Sequence, residues 1–231
     1  YAIQKYLSTR ITMEMIDEAE SEIVNSGYDF RRDLWEIIVK EYDGKLPLEI
    51  RAVPEGTIVP VGAVILTVVN TDPRFFWLTS YVETLLQRIM WKITTVASIC
   101  RGIRHELKQF ALKTDTVAIH VDYALHNFGS RGADSYESDY MSSFGHMTQF
   151  EGTDCLQSNL WIQRVYGSSR HHGTSVCASE HSVMCSNSNA EERCDFGGFV
   201  KMLDRLETIL DKIDKGAKLA PVVSIVIDTY D

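Results

Sequence analysis

The run His126-Asn127-Phe128-Gly129-Ser130-Arg131-Gly132 gathers an imidazole, an aromatic ring and a guanidinium on one glycine-bracketed turn. Such a turn offers a flat face for ring stacking, a titratable nitrogen and a planar fork for a phosphate or carboxylate. Two further stretches follow the same logic. Phe150-Glu151-Gly152-Thr153-Asp154 places a carboxylate just before a helical pattern, where it could cap the helix, bind a ligand, or do both. Thr174-Ser175-Val176-Cys177-Ala178-Ser179-Glu180-His181 puts a histidine at a helix mouth, and Asp228 stands at the end of a strand-like run from which it could orient that ring. A lone histidine is more often structural than catalytic, and aromatic residues usually fill cores, so the weight rests on the three stretches together.

These residues must be held by a scaffold, and the patterning suggests one. Residues 11–42 read as two amphipathic helices; in the second, Phe30, Leu34, Ile37 and Ile38 share a face. Leu46 to Val53 leads into β-branched runs at Thr57 to Pro60 and Val64 to Val69, and Asn70-Thr71-Asp72-Pro73 opens a long helix to about Lys113, with a break foreseen near Trp91 to Thr95. From Val117 the pattern alternates. It gives a strand to Leu125, a helix from Ala133 to His146, a short strand from Met147 to Phe150, a helix from Cys155 to Tyr166, a long amphipathic helix from Phe196 to Ile213, and a strand from Val222 to Ile227. Strand, loop, helix, strand is the order of a parallel sheet or barrel, whose polar site lies at the strand ends. The expectation is an α/β fold: a helical and β-rich domain over 1–115, then part of an irregular α/β barrel of parallel strands over 116–231.

Composition narrows the function. The 231 residues include 45% hydrophobic and 24% charged side chains, ordinary for a folded globular chain. A formal charge of -9 disfavours binding to nucleic acid or an anionic membrane, and no apolar run reaches the ~18 residues of a membrane span. The five cysteines follow no CxxC spacing, which favours a reduced, cytoplasmic setting. His171-His172 with Cys177 and Cys185 matches no metal-binding spacing, so no protein-built metal site is expected. Tyr1 reads as the middle of an element, and the final apolar run calls for neighbours on both edges, so the expectation is a piece of a longer protein.

Several segments occur together in one family. Leu46-Pro47-Leu48-Glu49-Ile50-Arg51-Ala52-Val53-Pro54-Glu55-Gly56, Asn70-Thr71-Asp72-Pro73, Trp77-Leu78-Thr79, Glu83-Thr84, His126 to Gly132, Gly152-Thr153-Asp154, Glu180-His181-Ser182 and Asp228-Thr229-Tyr230-Asp231 stand in the order seen in the nicotinamide phosphoribosyltransferases. The chain resembles an internal portion of these type II phosphoribosyltransferases. The resemblance implies a cytoplasmic homodimer that joins nicotinamide to 5-phosphoribosyl 1-diphosphate, giving nicotinamide mononucleotide and diphosphate in NAD biosynthesis. It implies Mg2+ and ATP as co-substrate, with a phosphohistidine intermediate. Phe128 would stack on the pyridine ring, Asp154 would accept its amide N–H, and His126 would line the base pocket. Arg131 would serve the phosphate side, and Ser175 and Val176 the tunnel wall. His181 would take the phosphoryl group, with Asp228 holding its ring. Asn127 and Ser130 stand where the family carries Asp and Tyr. Alternatives are a nicotinate-specific enzyme of the same fold, or a fragment inactive by itself.

Overall fold

A computed structural model describes residues 1–114, 118–187 and 194–227, without the side chains of 118–120. Two compact units make up the chain, Tyr1–Gly173 and Thr174–Asp231.

In the first unit a π-helical turn at Ile3–Leu7 precedes helices α1 (Met13–Asn25) and α2 (Arg32–Tyr42). Thr12 caps α1 by accepting the Met15 N–H at 3.3 Å. Asp43 and Gly44 end α2 in the left-handed region, at φ 54° and 72°. A side chain at Gly44 would also run into the Ile11 backbone, so glycine is needed there twice over. The apolar stripe of α2 is buried through Leu34 and Ile38 against Phe75 and Leu78. Next come β1 (Leu48–Ala52) and β2 (Leu66–Asn70), paired antiparallel from Leu48↔Asn70 to Ala52↔Leu66. The strand expected at Thr57 to Pro60 is absent. Pro54 and Pro60 instead accept turn hydrogen bonds from Thr57 and Ala63, and Gly56 and Gly62 take positive φ, so this stretch folds as successive turns.

Asp72 starts the next segment. Its carboxylate accepts from the Arg74 side chain and backbone and from the Tyr42 hydroxyl at 2.6 Å, which hold it well below the usual carboxylate range. Helix α3 (Leu78–Thr114) then runs unbroken for 37 residues, about 55 Å at the usual rise per residue. The expected break near Trp91 does not occur; Thr94 returns its hydroxyl to the Met90 carbonyl at 2.6 Å and the helix continues.

Helix α4 (Tyr136–Met147), capped by Ser135, packs along α3, and α5 (Gln157–Tyr166) packs along α4. Ile89 of α3, Tyr140, Met141 and Phe144 of α4 and Ile162 of α5 form one core; Cys100 of α3 with Val121 and Phe150 forms another. The strand expected over Val117 to Leu125 is, in its described part, a 3-10 turn at Ala118–Tyr123. Met147 to Phe150 is likewise no strand: Thr148, Gln149 and Phe150 donate back to the Gly145 and His146 carbonyls and wrap the end of α4. Among the described residues this unit shows parallel pairing at the bridge Asn127↔Thr153.

In the second unit, β3 (Cys177–Ala178) precedes α6 (His181–Asn187) and α7 (Phe196–Asp214), and β4 (Val223–Ser224) returns parallel to β3. The expected strand Val222 to Ile227 is shorter than its apolar run, though the Val226 N–H still reaches the Ser179 hydroxyl at 2.8 Å. The described fold is thus mixed α/β and mostly helical, with parallel pairing at two places. No described helix is long and apolar enough to cross a membrane.

At Gly145 helices α3 and α4 approach closely: a Cβ there would lie 2.8 Å from the Ile93 carbonyl oxygen and 2.9 Å from Val96 Cβ. Gly145→Ala should therefore lower stability by about 1–3 kcal/mol through overpacking. Gly102→Ala, in open space on α3, should raise it by up to about 1 kcal/mol. Urea unfolding midpoints of the two variants check the contrast.

Candidate functional site

The Asn127↔Thr153 bridge brings two of the three chemistry-bearing stretches together. Asn127 N–H donates to the Gly152 carbonyl, and Asp154 N–H donates to the Asn127 carbonyl, both at 3.0 Å. The Asn127 side chain adds two ties. Its amide nitrogen donates to the Ser143 hydroxyl of α4 at 3.1 Å, and its carbonyl oxygen accepts the Gly129 N–H at 2.9 Å. Thr153 is buried and takes the Cys155 N–H on its hydroxyl, turning the chain into α5.

With the backbones so joined, three side chains meet. His126 Nε2 lies 2.9 Å from an Asp154 carboxylate oxygen. The same imidazole lies beside the Phe128 ring, centroids 4.6 Å apart and planes tilted by 35°. Glycine at 152 makes this possible, because a Cβ there would come within 2.8 Å of His126 Nδ1. The Phe128 side is open, the residue being 59% exposed. An exposed ring beside an imidazole–carboxylate pair can stack a flat heterocycle on one side and take a hydrogen bond from its substituent on the other.

Arg131 is exposed on the 3-10 turn Gly129–Gly132 that follows Phe128. Gln157 of α5 donates to the Ser130 hydroxyl at 3.3 Å and to the buried Asp139 of α4, so both helices brace this turn.

Ser175, Val176 and His181 lie in the second unit. Ser175 is exposed, Val176 half-buried, and His181 is the exposed first residue of α6. Glu180 accepts from the Ser182 backbone at 2.8 Å, from the Ser182 hydroxyl and from the Val183 N–H at 3.4 Å. The Ser182 hydrogen bonds hold its carboxyl below the ordinary range, and its role is to cap the first turn of α6. Asp228 lies outside the described residues, as do residues 188–193.

A residue that sequence reasoning passed over stands behind the bridge. His146, 4% exposed near the end of α4, brings Nε2 to 2.9 Å from the Gly152 carbonyl oxygen and Nδ1 to 3.8 Å from Cys100 Sγ. It sits three residues after Ser143, which ties Asn127, so one face of α4 holds both sides of the bridge. That i, i+3 spacing of two polar residues on one face of α4 was the available signal.

No protein-family model matches the chain. Curated sequences do. One is a nicotinamide phosphoribosyltransferase of Acinetobacter baylyi, 40% identical over 190 residues, covering 81% of this chain and 34% of that protein. A nicotinamide phosphoribosyltransferase of Xanthomonas campestris is 32% identical over 230 residues, covering 99% of this chain and 46% of the relative. One from Mycoplasma genitalium is 27% identical over 194 residues, or 83% of this chain and 37% of its own length. The chain is a homologue of the nicotinamide phosphoribosyltransferases. It spans about a third to under half of the length of these relatives.

Burial is the main force on His146 in this phosphoribosyltransferase homologue. It pushes the imidazole below its ordinary value of 6.5, against the Gly152 hydrogen bond, and nearby His126 adds to the depression. The unfolded chain therefore binds a proton near pH 6.5 that the folded chain refuses. This contribution to stability is complete above about pH 6.5 and is lost as pH falls toward the depressed folded value. Urea midpoints measured between pH 7.5 and 5.5 should fall toward acid, and His146→Gln should flatten that slope.

Proposed function

We propose that this chain carries the base-binding loops of an enzyme that transfers a phosphoribosyl group from 5-phosphoribosyl 1-diphosphate to nicotinamide. The reading is supported by the kinship just described, and the observation that carries it is the open Phe128 ring beside the His126–Asp154 pair. The pyridine ring stacks on Phe128, and Asp154 accepts the carboxamide N–H. His126 lines the pocket and fixes the carboxylate. Arg131, on the adjoining turn, faces the phosphate side. The pyridine nitrogen attacks the anomeric carbon as the carbon–oxygen bond to diphosphate breaks, so the protein's work is to position the reactants and to stabilise departing negative charge.

Asp154 explains a preference for amide over acid. A nicotinate carboxylate in place of the amide would put two like charges about 4 Å apart, a repulsion of about 1 kcal/mol in water but about 4 kcal/mol at the effective dielectric of a protein surface. In the intact enzyme, which on this reading is a cytoplasmic homodimer with an α/β barrel beginning near residue 116, His181 accepts the γ-phosphoryl group of ATP. A ring nitrogen attacks phosphorus, ADP leaves, and Asp228 steadies the imidazole. Magnesium would accompany both phosphorylated substrates. Among the described residues no group of three or more His, Cys, Asp or Glu side chains could hold the ion.

Two measurements on the full-length protein test this. In competition assays, nicotinamide should be used in strong preference to nicotinate, and Asp154→Ser should cut that preference at least about tenfold; equal use of both bases by the unmutated protein would refute the reading. Incubation with γ-labelled ATP should give an acid-labile label that His181→Ala abolishes, whereas label persisting in the variant would remove His181 from that role.

A further inference from the structure

Asp154 and Phe128 sit on loops of their own, yet the atoms that set their separation trace back to a side chain outside the pocket. The Gly152 carbonyl accepts two hydrogen bonds, from Asn127 N–H at 3.0 Å and from His146 at 2.9 Å. A carbonyl cannot donate, so the hydrogen of His146 resides on Nε2, and Nδ1 faces the Cys100 thiol as acceptor. The ring is pinned further by stacking on Phe150, with centroids 5.6 Å apart and planes at 27°. From Gly152 the chain of contacts is short. Asn127, held through its N–H, accepts Asp154 N–H at 3.0 Å and the Cys155 thiol at 3.6 Å on its own carbonyl.

We propose that His146 is a positioning residue for base recognition, holding the Gly152-Thr153-Asp154 turn in register with the Asn127-Phe128 turn so that carboxylate and ring face one ligand. It touches neither the ligand nor the reacting atoms. The anchor on Gly152 fixes where the Asp154 carboxylate stands relative to Phe128, and it rests on the nicotinamide reading only for the identity of the base. A core histidine of merely structural use would need any compact, half-polar filler. A positioning residue needs a donor at the place of Nε2 and nowhere else.

That difference can be measured. Gln at position 146 presents an amide N–H close to where Nε2 lies, whereas Asn presents one near Nδ1, too short to reach Gly152. In the full-length protein, His146→Gln should keep the nicotinamide KM within about threefold of the native value. His146→Asn should raise it about tenfold or more while the phosphoribosyl diphosphate KM stays nearly unchanged. Amide exchange of the ligand-free protein gives a second arm that does not depend on the substrate. Asn127 and Asp154 N–H should exchange at least about tenfold faster in His146→Asn, with α3 amides unaffected, and return to native protection in His146→Gln. Equal behaviour of the two variants in exchange, or a loss of protection spread evenly over α3 and α4, overturns the proposal. A native enzyme without preference for nicotinamide would sink the functional reading instead, leaving the exchange comparison decisive for His146.

Discussion

The Gly152 carbonyl oxygen is where the described site converges, since it joins the turn bearing Phe128, the turn bearing Asp154 and helix α4 through hydrogen bonds of 3.0 and 2.9 Å. Each such bond contributes about 1 kcal/mol net, but leaving a buried partner unmade costs about 1–3 kcal/mol, so the arrangement resists partial opening more than its count of bonds suggests. Behind it stands the α3–α4 contact. Gly145 lets α4 lie close on α3, and the next residue along is His146, whose ring thereby comes within reach of Cys100 on α3 and Gly152 beyond. Small residue and buried imidazole act in sequence: one sets the distance between helices, the other transmits it to the loops.

The regular parts of the scaffold were readable because their signals are local. The stripe Leu34, Ile37, Ile38 needed no knowledge of partners, and α7 spans Phe196–Asp214 almost as its apolar period required. The strands were not readable in the same way. A run such as Val117 to Leu125 has the composition of a strand, but strand geometry is a property of a ladder, and a ladder is supplied by other segments. Among the described residues Ala118–Tyr123 forms a 3-10 turn, and a backbone tie to a neighbouring segment is the Asp122 carbonyl, which accepts the Glu151 N–H at 2.7 Å. Met147 to Phe150 failed for a different reason. Its amides find acceptors in the closing turn of α4, so these residues complete a helix instead of starting a strand.

The site residues divide along similar lines. Phe128 and Asp154 could be singled out because they stand on glycine-bearing turns between an apolar run and a helical pattern, and the structure does place them together with His126. Their supports were hidden. Ser143 and His146 lie in a helix that also buries Asp139, Tyr140, Met141 and Phe144, and nothing in composition says that these two polar groups are aimed at neighbouring turns. Glu180 was a similar case. Adjacent to His181, it gave no sign in the sequence of a capping role, yet its carboxylate accepts from the first turn of α6.

His126 makes the chemistry of Asp154 more specific than an isolated carboxylate would be. A free aspartate rotates about two bonds and accepts from any donor in a broad arc, whereas one oxygen held at 2.9 Å by an imidazole has its plane fixed. The imidazole in turn cannot drift, because Phe128 lies along one side and the bare Cα of Gly152 against its Nδ1 edge. Any side chain at 152 would displace His126 and release the carboxylate. The absence of a Cβ at one glycine and the presence of a buried donor on its carbonyl are therefore two halves of a single device. The same residue yields space to the imidazole on its Cα side and receives the anchoring hydrogen bond on its oxygen, so recognition geometry and loop register are set at one peptide unit.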